Sequence, residues 1–395
     1  MKITRRLAIK LLLLSAPLLL PSAVSPQKRF HNKPYIVYVG TYTNKTASKG
    51  IYAYLFDPGI GKLSPLGVAA ESEDPSFLAA HPSGKFLYAV NEIDHFGAQK
   101  SGSLSAFAID PKDGKLTLLN QAATQGAGPC HISLDKTGKY ALVANYDGGS
   151  IAVFPIREDG GLAPASAFVQ HSGSSIDKER QQAPHAHWIG TSPDNRFALA
   201  ADLGLDEILV YRFNPAKGTL TPNNPPYAKV NPGAGPRHLA FHPNGKFAYV
   251  LTEMENSVTT FAYKAGNGSL SPLQTVSTLS ILRKDYSGPK EAAEIAVHPS
   301  GKFLYASNRA NIDTISTFSI DPAKGTLKLK DEYPTMGKTP RNFAIDPTGK
   351  FLLAANQESN NIVVFRIDST TGALTPTGDI VEVPTPVCIT FVAVR

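Results

Sequence analysis

Arg237 and Glu253 stand sixteen residues apart in the stretch GPRHLAFHPNGKFAYVLTEMEN, on either side of a His-Pro-Asn-Gly-Lys turn. A guanidinium fork binds a carboxylate or phosphate through paired N–H donors. A carboxylate or imidazole within reach of the same ligand can accept and return a proton. The sequence supplies more of both kinds: His131 in GPCH, His185 and His187 in PHAH, His238 beside Arg237, Glu294, Arg309 in SNR, and Arg341 with Asn342 in PRN. Such a set suits acid–base chemistry on an anionic small molecule. Other chemistries lack their marks: there is no G-x-S-x-G elbow, P-loop, dinucleotide fingerprint or H-E-x-x-H helix. His185 and His187, two apart, would share one face of a strand. No third ligand of the usual spacing follows, so neither a metal nor another cofactor is expected.

These residues can meet only if the fold gathers distant segments, and an internal repeat does so. HPSGKFLYAVNE (81–92), DKTGKYALVANY (135–146), SPDNRFALAADL (192–203), HPNGKFAYVLTE (242–253), HPSGKFLYASNR (298–309) and DPTGKFLLAANQ (346–357) are copies of one pattern, roughly fifty residues apart. Each reads as a short apolar strand, a turn with Pro early and Gly late, and a strand of aromatic and β-branched residues. A third strand such as NSVTTFAY follows, then a fourth opening with G-x-L, as in GKLTLL and GGLAP. The turn chemistry accounts for His81, His242 and His298. Four antiparallel strands per unit without helical periodicity predict a propeller blade. The N-terminal YIVYVGTYT, GIYAYLFD and GKLSPLG supply three strands without a first, and the C-terminal PVCITFVAV supplies a first alone. The expected fold is all-β: a seven-bladed β-propeller whose C-terminal strand pairs with the N-terminal strands and closes the ring, leaving no open sheet edge.

In a propeller the first strand of each blade lines the axis and the second runs antiparallel beside it. The start of one and the end of the other share a face, so Arg237 and Glu253 should be neighbours across a hairpin. Counting from each turn gives a ring of Ser76, Cys130, His187, Arg237, Ala293, Arg341 and Val387. The next ring is Phe77, His131, Trp188, His238, Glu294, Asn342 and Cys388. The ends of the second strands add Glu92, Tyr146, Leu203, Glu253, Arg309, Gln357 and Thr41. Charged, amide and imidazole groups thus converge on one mouth of the channel, most densely in blades three to five, as a concave polar site suited to a ligand. Burying an Arg–Glu pair costs roughly several kcal/mol of desolvation per ion, which favours a functional pair over a structural tie. Two polar insertions, 171–183 and 281–290, are expected to overhang this mouth. Cys130 and Cys388 fall in non-adjacent blades and are not expected to pair.

The chain has 395 residues, 42% hydrophobic and 18% charged, enough for a sizeable core. Its start differs from the rest: Lys2, Arg5, Arg6 and Lys10 precede LLLLSAPLLL and PSAVSPQ. A basic start, a short apolar run and small residues predict a signal peptide at 1–25 and a periplasmic or secreted protein, with the twin arginine as one export route. The apolar run is too short for a comfortable membrane span, so no stable membrane association is expected after processing. The net charge of +7 comes from 39 basic and 32 acidic residues, and without the four basic leader residues it is +3. With no basic run or aromatic stripe, nucleic acid is not an expected partner. A monomer acting on a small molecule is.

YVGTYT, GPCHIS, PHAHW, GPRHLAFHP, TEMEN and PRNFAIDPTGKFLLAANQ, taken together, resemble the seven-bladed propeller lactonases over nearly all of residues 34–395. That family includes one type of bacterial 6-phosphogluconolactonase and the fungal carboxy-cis,cis-muconate lactonising enzyme. The resemblance implies a cleft for an anionic lactone or its open acid, worked by a His, a Glu and two Arg. By motif these match His187 (or His185), Glu253, Arg237 and Arg309, the set that strand counting also brings together. His131, His185, His238, Glu294, Arg341 and Asn342 are the accompanying substrate contacts. Hydrolysis of a sugar lactone is the leading expectation. A muconate-type cycloisomerase, or a non-catalytic propeller binding a sugar acid or envelope partner, are the alternatives. An exported copy would not meet a cytoplasmic phosphosugar, which separates this chain's setting from that of the family's pathway enzyme.

Overall fold

The computed structural model describes residues 33–394, apart from 281, 282, 284 and 285. The leader expected at 1–25 lies outside the described residues. Seven four-stranded antiparallel sheets form a β-propeller. Blades one to six run 77–123, 129–170, 186–229, 236–277, 292–334 and 340–382. The seventh combines Pro386–Ala393 with Tyr35–Thr41, Gly50–Asp57 and Lys62–Glu71, in that order across the sheet. Tyr35 faces Ala393 and Gly40 faces Cys388 in the closing ladder. The first strands contact one another successively around the axis.

One apolar cluster lies between each pair of neighbouring blades. Leu199 and Val210 of blade three pack on Val250 and Phe261 of blade four, and the other six interfaces repeat the arrangement. Alternation along each strand feeds both faces, so the second strands, such as Phe247–Thr252, are buried throughout.

The repeated letters of the motif serve these interfaces. Tyr88, Tyr249 and Tyr305 of the KF-x-Y pattern donate to the carbonyls of Gly160, Gly325 and Gly372 in the next blade, at 2.9–3.0 Å. The turn histidines act likewise: His81, His242 and His298 reach the carbonyls of Gly138, Gly301 and Gly349. The glycines before five outer strands (Gly61, Gly218, Gly268, Gly325 and Gly372) fit under the preceding blade's aromatic, whereas Gly114 meets Ile36 and Leu66. Gly325 has φ +69°, and a Cβ there would overlap the Phe247 ring.

One sequence expectation fails in blade two. GGLAP does not open the outer strand. Leu162 makes only an isolated bridge to Ile156, and the strand is Ala167–Gln170. Pro164 is not the cause, since Pro65, Pro222, Pro272 and Pro376 stand at the same place of the G-x-L-x-P pattern within outer strands.

The strand starts carry a device that counting alone does not show. Pro236 faces Thr252 and His238 faces Leu251, so Arg237 between them is a bulged residue. Bulges recur at Cys130, His187 and Arg341, with register breaks at Ala293–Glu294 and Val387. A bulge re-aims the extra side chain, here at the axial mouth.

Gly325→Ala should lower stability by about 2–4 kcal/mol, from left-handed backbone plus overpacking against Phe247. Gly266→Ala, with open space around it, should stay within about 0.5 kcal/mol. Denaturant midpoints of the two variants make the comparison.

Candidate active site

Glu253 directly follows the second strand of blade four and is the centre of the polar mouth. Its Oε2 accepts from Arg237 Nε at 2.9 Å and pairs with Arg309 Nη2 at 3.1 Å. Its Oε1 accepts from Arg180 Nη2 at 2.8 Å. Burial pushes the Glu253 pKa up, but Arg309, Arg237 and Arg180 outweigh it and hold the value at about 2. Burial, together with Arg237 and Arg341, lowers Arg309 to about 10. Arg237 also donates through Nη1 to Ala293 O and to His238 Nε2, leaving Nη2 for a ligand.

These groups open on a cavity of about 260 Å³ lined by Glu92, Cys130, Tyr146, Arg180, His187, Glu253, Glu291, Arg309 and Arg341. A smaller recess shares Glu92, Cys130 and Arg341 with it and adds Ser76, Phe77, Arg237, His238 and Val387. All seven blades therefore contribute. A larger cavity of about 780 Å³ lies at the ring seam between Lys45–Ala47 and Glu382–Thr385, but it gathers no comparable acid–base set.

His187, bulged from the start of blade three, holds Nε2 4.0 Å from Glu253 Oε2. That gap suits a bridging water. Burial first, then Arg237 and His238, keeps its pKa well below the usual imidazole range, so it is neutral near pH 7. Of the PHAH pair, only His187 lines the cavity. His185 precedes the strand, stacks on Tyr146 at 4.6 Å and meets its carbonyl through Nδ1. Among the described residues, no group of three or more His, Cys, Asp or Glu is arranged to hold a metal ion. Cys130 and Cys388 are free and buried.

His131, Glu294 and Asn342 lie one residue deeper in the channel and are not cavity-lining. His131 stacks between Phe77 and Trp188. Glu294 accepts from His238 Nδ1 at 3.0 Å, from Asn342 Nδ2 at 2.5 Å and from the Ile295 N–H at 2.9 Å. Because Arg237 donates to His238 Nε2, the His238 proton sits on Nδ1. Burial pushes Glu294 up to about 7 despite these donors. This lower layer props Arg237 from beneath.

The opposite wall holds a second polar set. Arg341 Nη2 donates to Tyr42 Oη at 2.8 Å, and Tyr42 donates to Glu92 at 2.9 Å. Burial raises Glu92, with Arg341 pulling the other way. Tyr42, not Thr41, occupies the position equivalent to Glu253. Thr41 faces Pro386, as Thr252 faces Pro236, and turns inward to Gly50 O and Ser48. The count from the turn slipped by one because blade seven begins without a turn of its own to count from.

Arg180 also escaped the strand count, since it lies on the 171–183 insertion. That segment overhangs the mouth as expected, and its DKER run carried the only available signal. Of the 281–290 insertion, Tyr286 is described and donates to Ala310 O, beside Arg309.

The Glu294 contribution to stability should fall as pH rises from the ordinary glutamate value near 4.5 through about 7, because the folded chain holds the proton that the unfolded chain releases; the buried neutral His131, His187 and His238 act in the opposite direction. Glu294→Gln should remove that part of the pH dependence. Thermal midpoints across pH 4–8 provide the check.

The family described as "Lactonase, 7-bladed beta-propeller" matches residues 36–391. The chain is 37% identical over 357 residues to a 6-phosphogluconolactonase of Bacillus subtilis, covering 90% of this chain and 98% of that protein. It is 40% identical to a 6-phosphogluconolactonase of Formosa agariphila, over 86% of this chain and 94% of the relative. The solved structure of a periplasmic gluconolactonase from Pseudomonas aeruginosa superposes with a TM-score of 0.85 at 37% identity, covering 92% of this chain and all of the other.

Proposed function

The chain belongs to the seven-bladed β-propeller lactonases, and from that premise we propose that it hydrolyses an anionic sugar lactone in the axial cavity around Glu253. One observation carries the reading: an ionised, buried carboxylate sits among Arg180, Arg237 and Arg309, with a neutral His187 4.0 Å away.

Arg237 and Arg309 hold the lactone by its carbonyl oxygen and stabilise the charge that develops there. A water at the Glu253 carboxylate attacks the carbonyl carbon and gives up a proton to it, with the neutral His187 beside the same carboxylate. The ring C–O bond then breaks, and the ring oxygen takes the proton back as a hydroxyl. The product is the open hydroxy acid, and no cofactor is consumed. Arg341, on the opposite wall with Tyr42, contacts the sugar from the other side.

Arg237→Ala should slow hydrolysis by about a hundred- to a thousand-fold, as loss of one oxyanion donor does. Glu253→Gln should do at least as much. The assay follows acid release from aldonolactones above the spontaneous rate. Wild type and both variants running at the same background rate would sink the reading.

Export is part of the same proposal, supported by the basic and apolar start and by the likeness to a periplasmic gluconolactonase. In a Gram-negative host the chain should be recovered outside the cytoplasm with its N-terminus beyond residue 25. Recovery of the intact chain from the cytoplasm removes this part.

A further inference from the structure

We infer that Arg180 is a substrate-drawn cap on Glu253: an anionic group elsewhere on the lactone pulls the guanidinium away, and so frees the carboxylate oxygen that acts as base. This rests on the hydrolytic reading above and names the feature of the substrate that the site selects.

Three observations support it. First, the two oxygens of Glu253 are not equivalent. Oε2 is held from below by Arg237 and Arg309, whose side chains are 3% and 7% exposed. Oε1 is covered by Arg180, whose side chain is 42% exposed. A water approaching from the cavity mouth meets Arg180 before it meets Oε1.

Second, Arg180 is the one guanidinium around Glu253 that comes from a connection between blades and not from within or beside a blade's inner strands, yet its backbone is firmly held. His171 Nδ1 lies 2.6 Å from Asp202 Oδ2, with both side chains fully buried. Ser175 Oγ and Gln181 Nε2 bind the two oxygens of Asp206 at 2.5 and 2.8 Å, and Gln181 also reaches Leu203 O. Asp177 Oδ1 accepts from the N–H groups of Glu179 and Arg180. The segment is a fixed gantry over the mouth. Its movable part is the Arg180 side chain, whose tip hydrogen-bonds to the Tyr146 hydroxyl and Glu253.

Third, exchange of partners is favourable for an anion and not for a neutral sugar. A phosphate or carboxylate takes the guanidinium fork through two parallel bonds, whereas Nη2 alone now holds Glu253. A neutral lactone offers no charge to replace Glu253, so the cap stays on. With one cation gone, Glu253 becomes more basic, since three guanidiniums hold its pKa down.

The test measures kcat and KM of wild type, Arg180→Gln and Arg180→Lys on gluconolactone and on its 6-phosphate ester, with spontaneous hydrolysis subtracted. Wild type should favour the phosphate ester. Arg180→Gln should lower kcat/KM on the ester at least ten-fold and raise it two- to ten-fold on the neutral lactone. Arg180→Lys should fall between. A lactone carrying a 6-carboxylate, run in parallel, identifies the anion by the larger drop. No drop on either charged substrate, or an equal fall on charged and neutral ones, overturns the proposal. If that happens while Glu253→Gln is still inactive, the hydrolytic reading stands without the cap. Wild-type rates for Glu253→Gln on every substrate remove both.

Discussion

Three guanidiniums from three separate parts of the chain converge on one carboxylate, and the rest of the mouth is arranged around that fact. Arg180 comes from a connection, Arg237 from blade four and Arg309 from blade five. In a poorly solvated channel their mutual repulsion would push the blades apart without Glu253 between them. The dependence runs both ways. Burial alone would neutralise Glu253, and only the cations keep it charged. Removing Glu253 leaves three cations without their counter-ion, so the carboxylate cannot be lost at low cost.

Much of this was legible in the sequence because the repeat supplies a ruler. Each HPxGK-like turn fixes a zero, and counting outward from it sets Arg237 opposite Glu253, with Arg309 in the same ring as Glu253. The ruler failed where the repeat itself is absent. Blade seven is assembled from both ends of the chain, so Thr41 was read where Tyr42 stands. Blade two carries the G-x-L letters but starts its outer strand later, at Ala167. Arg180 belongs to an insertion with no counterpart in other blades, and its backbone is set by buried contacts such as His171 to Asp202, which are joined only in space. Nor does composition announce the bulges that aim Cys130, His187, Arg237 and Arg341, since a bulge differs from a strand by register and not by residue type. His131, Glu294 and Asn342 were placed in the right ring but one layer too shallow in role.

The cavity shifts two carboxylates in opposite directions. Glu253 is surrounded by cations and stays ionised. Glu92, across the mouth, has Arg341 near but accepts its hydrogen bond from Tyr42, and burial shifts it toward its protonated form. Environments that drive two acids apart are how one pocket keeps a proton acceptor and a proton donor at a single pH. The lower layer of His238, Glu294 and Asn342 gives both walls a common floor.

The seam in blade seven has a consequence for how the protein matures. Val387, in the strand laid down last, lines the recess beside Glu92, Arg237 and Arg341. The pairing that seats it joins residues more than three hundred positions apart, the kind of contact that forms late because so long a loop must close first. Six blades can stack while the chain is still being made, yet the chamber has an open side until the terminal residues arrive. Catalytic competence therefore waits until the circle has shut, and a chain cut before Pro386 keeps Arg237, Arg309 and Arg341 but not the enclosure that makes them useful.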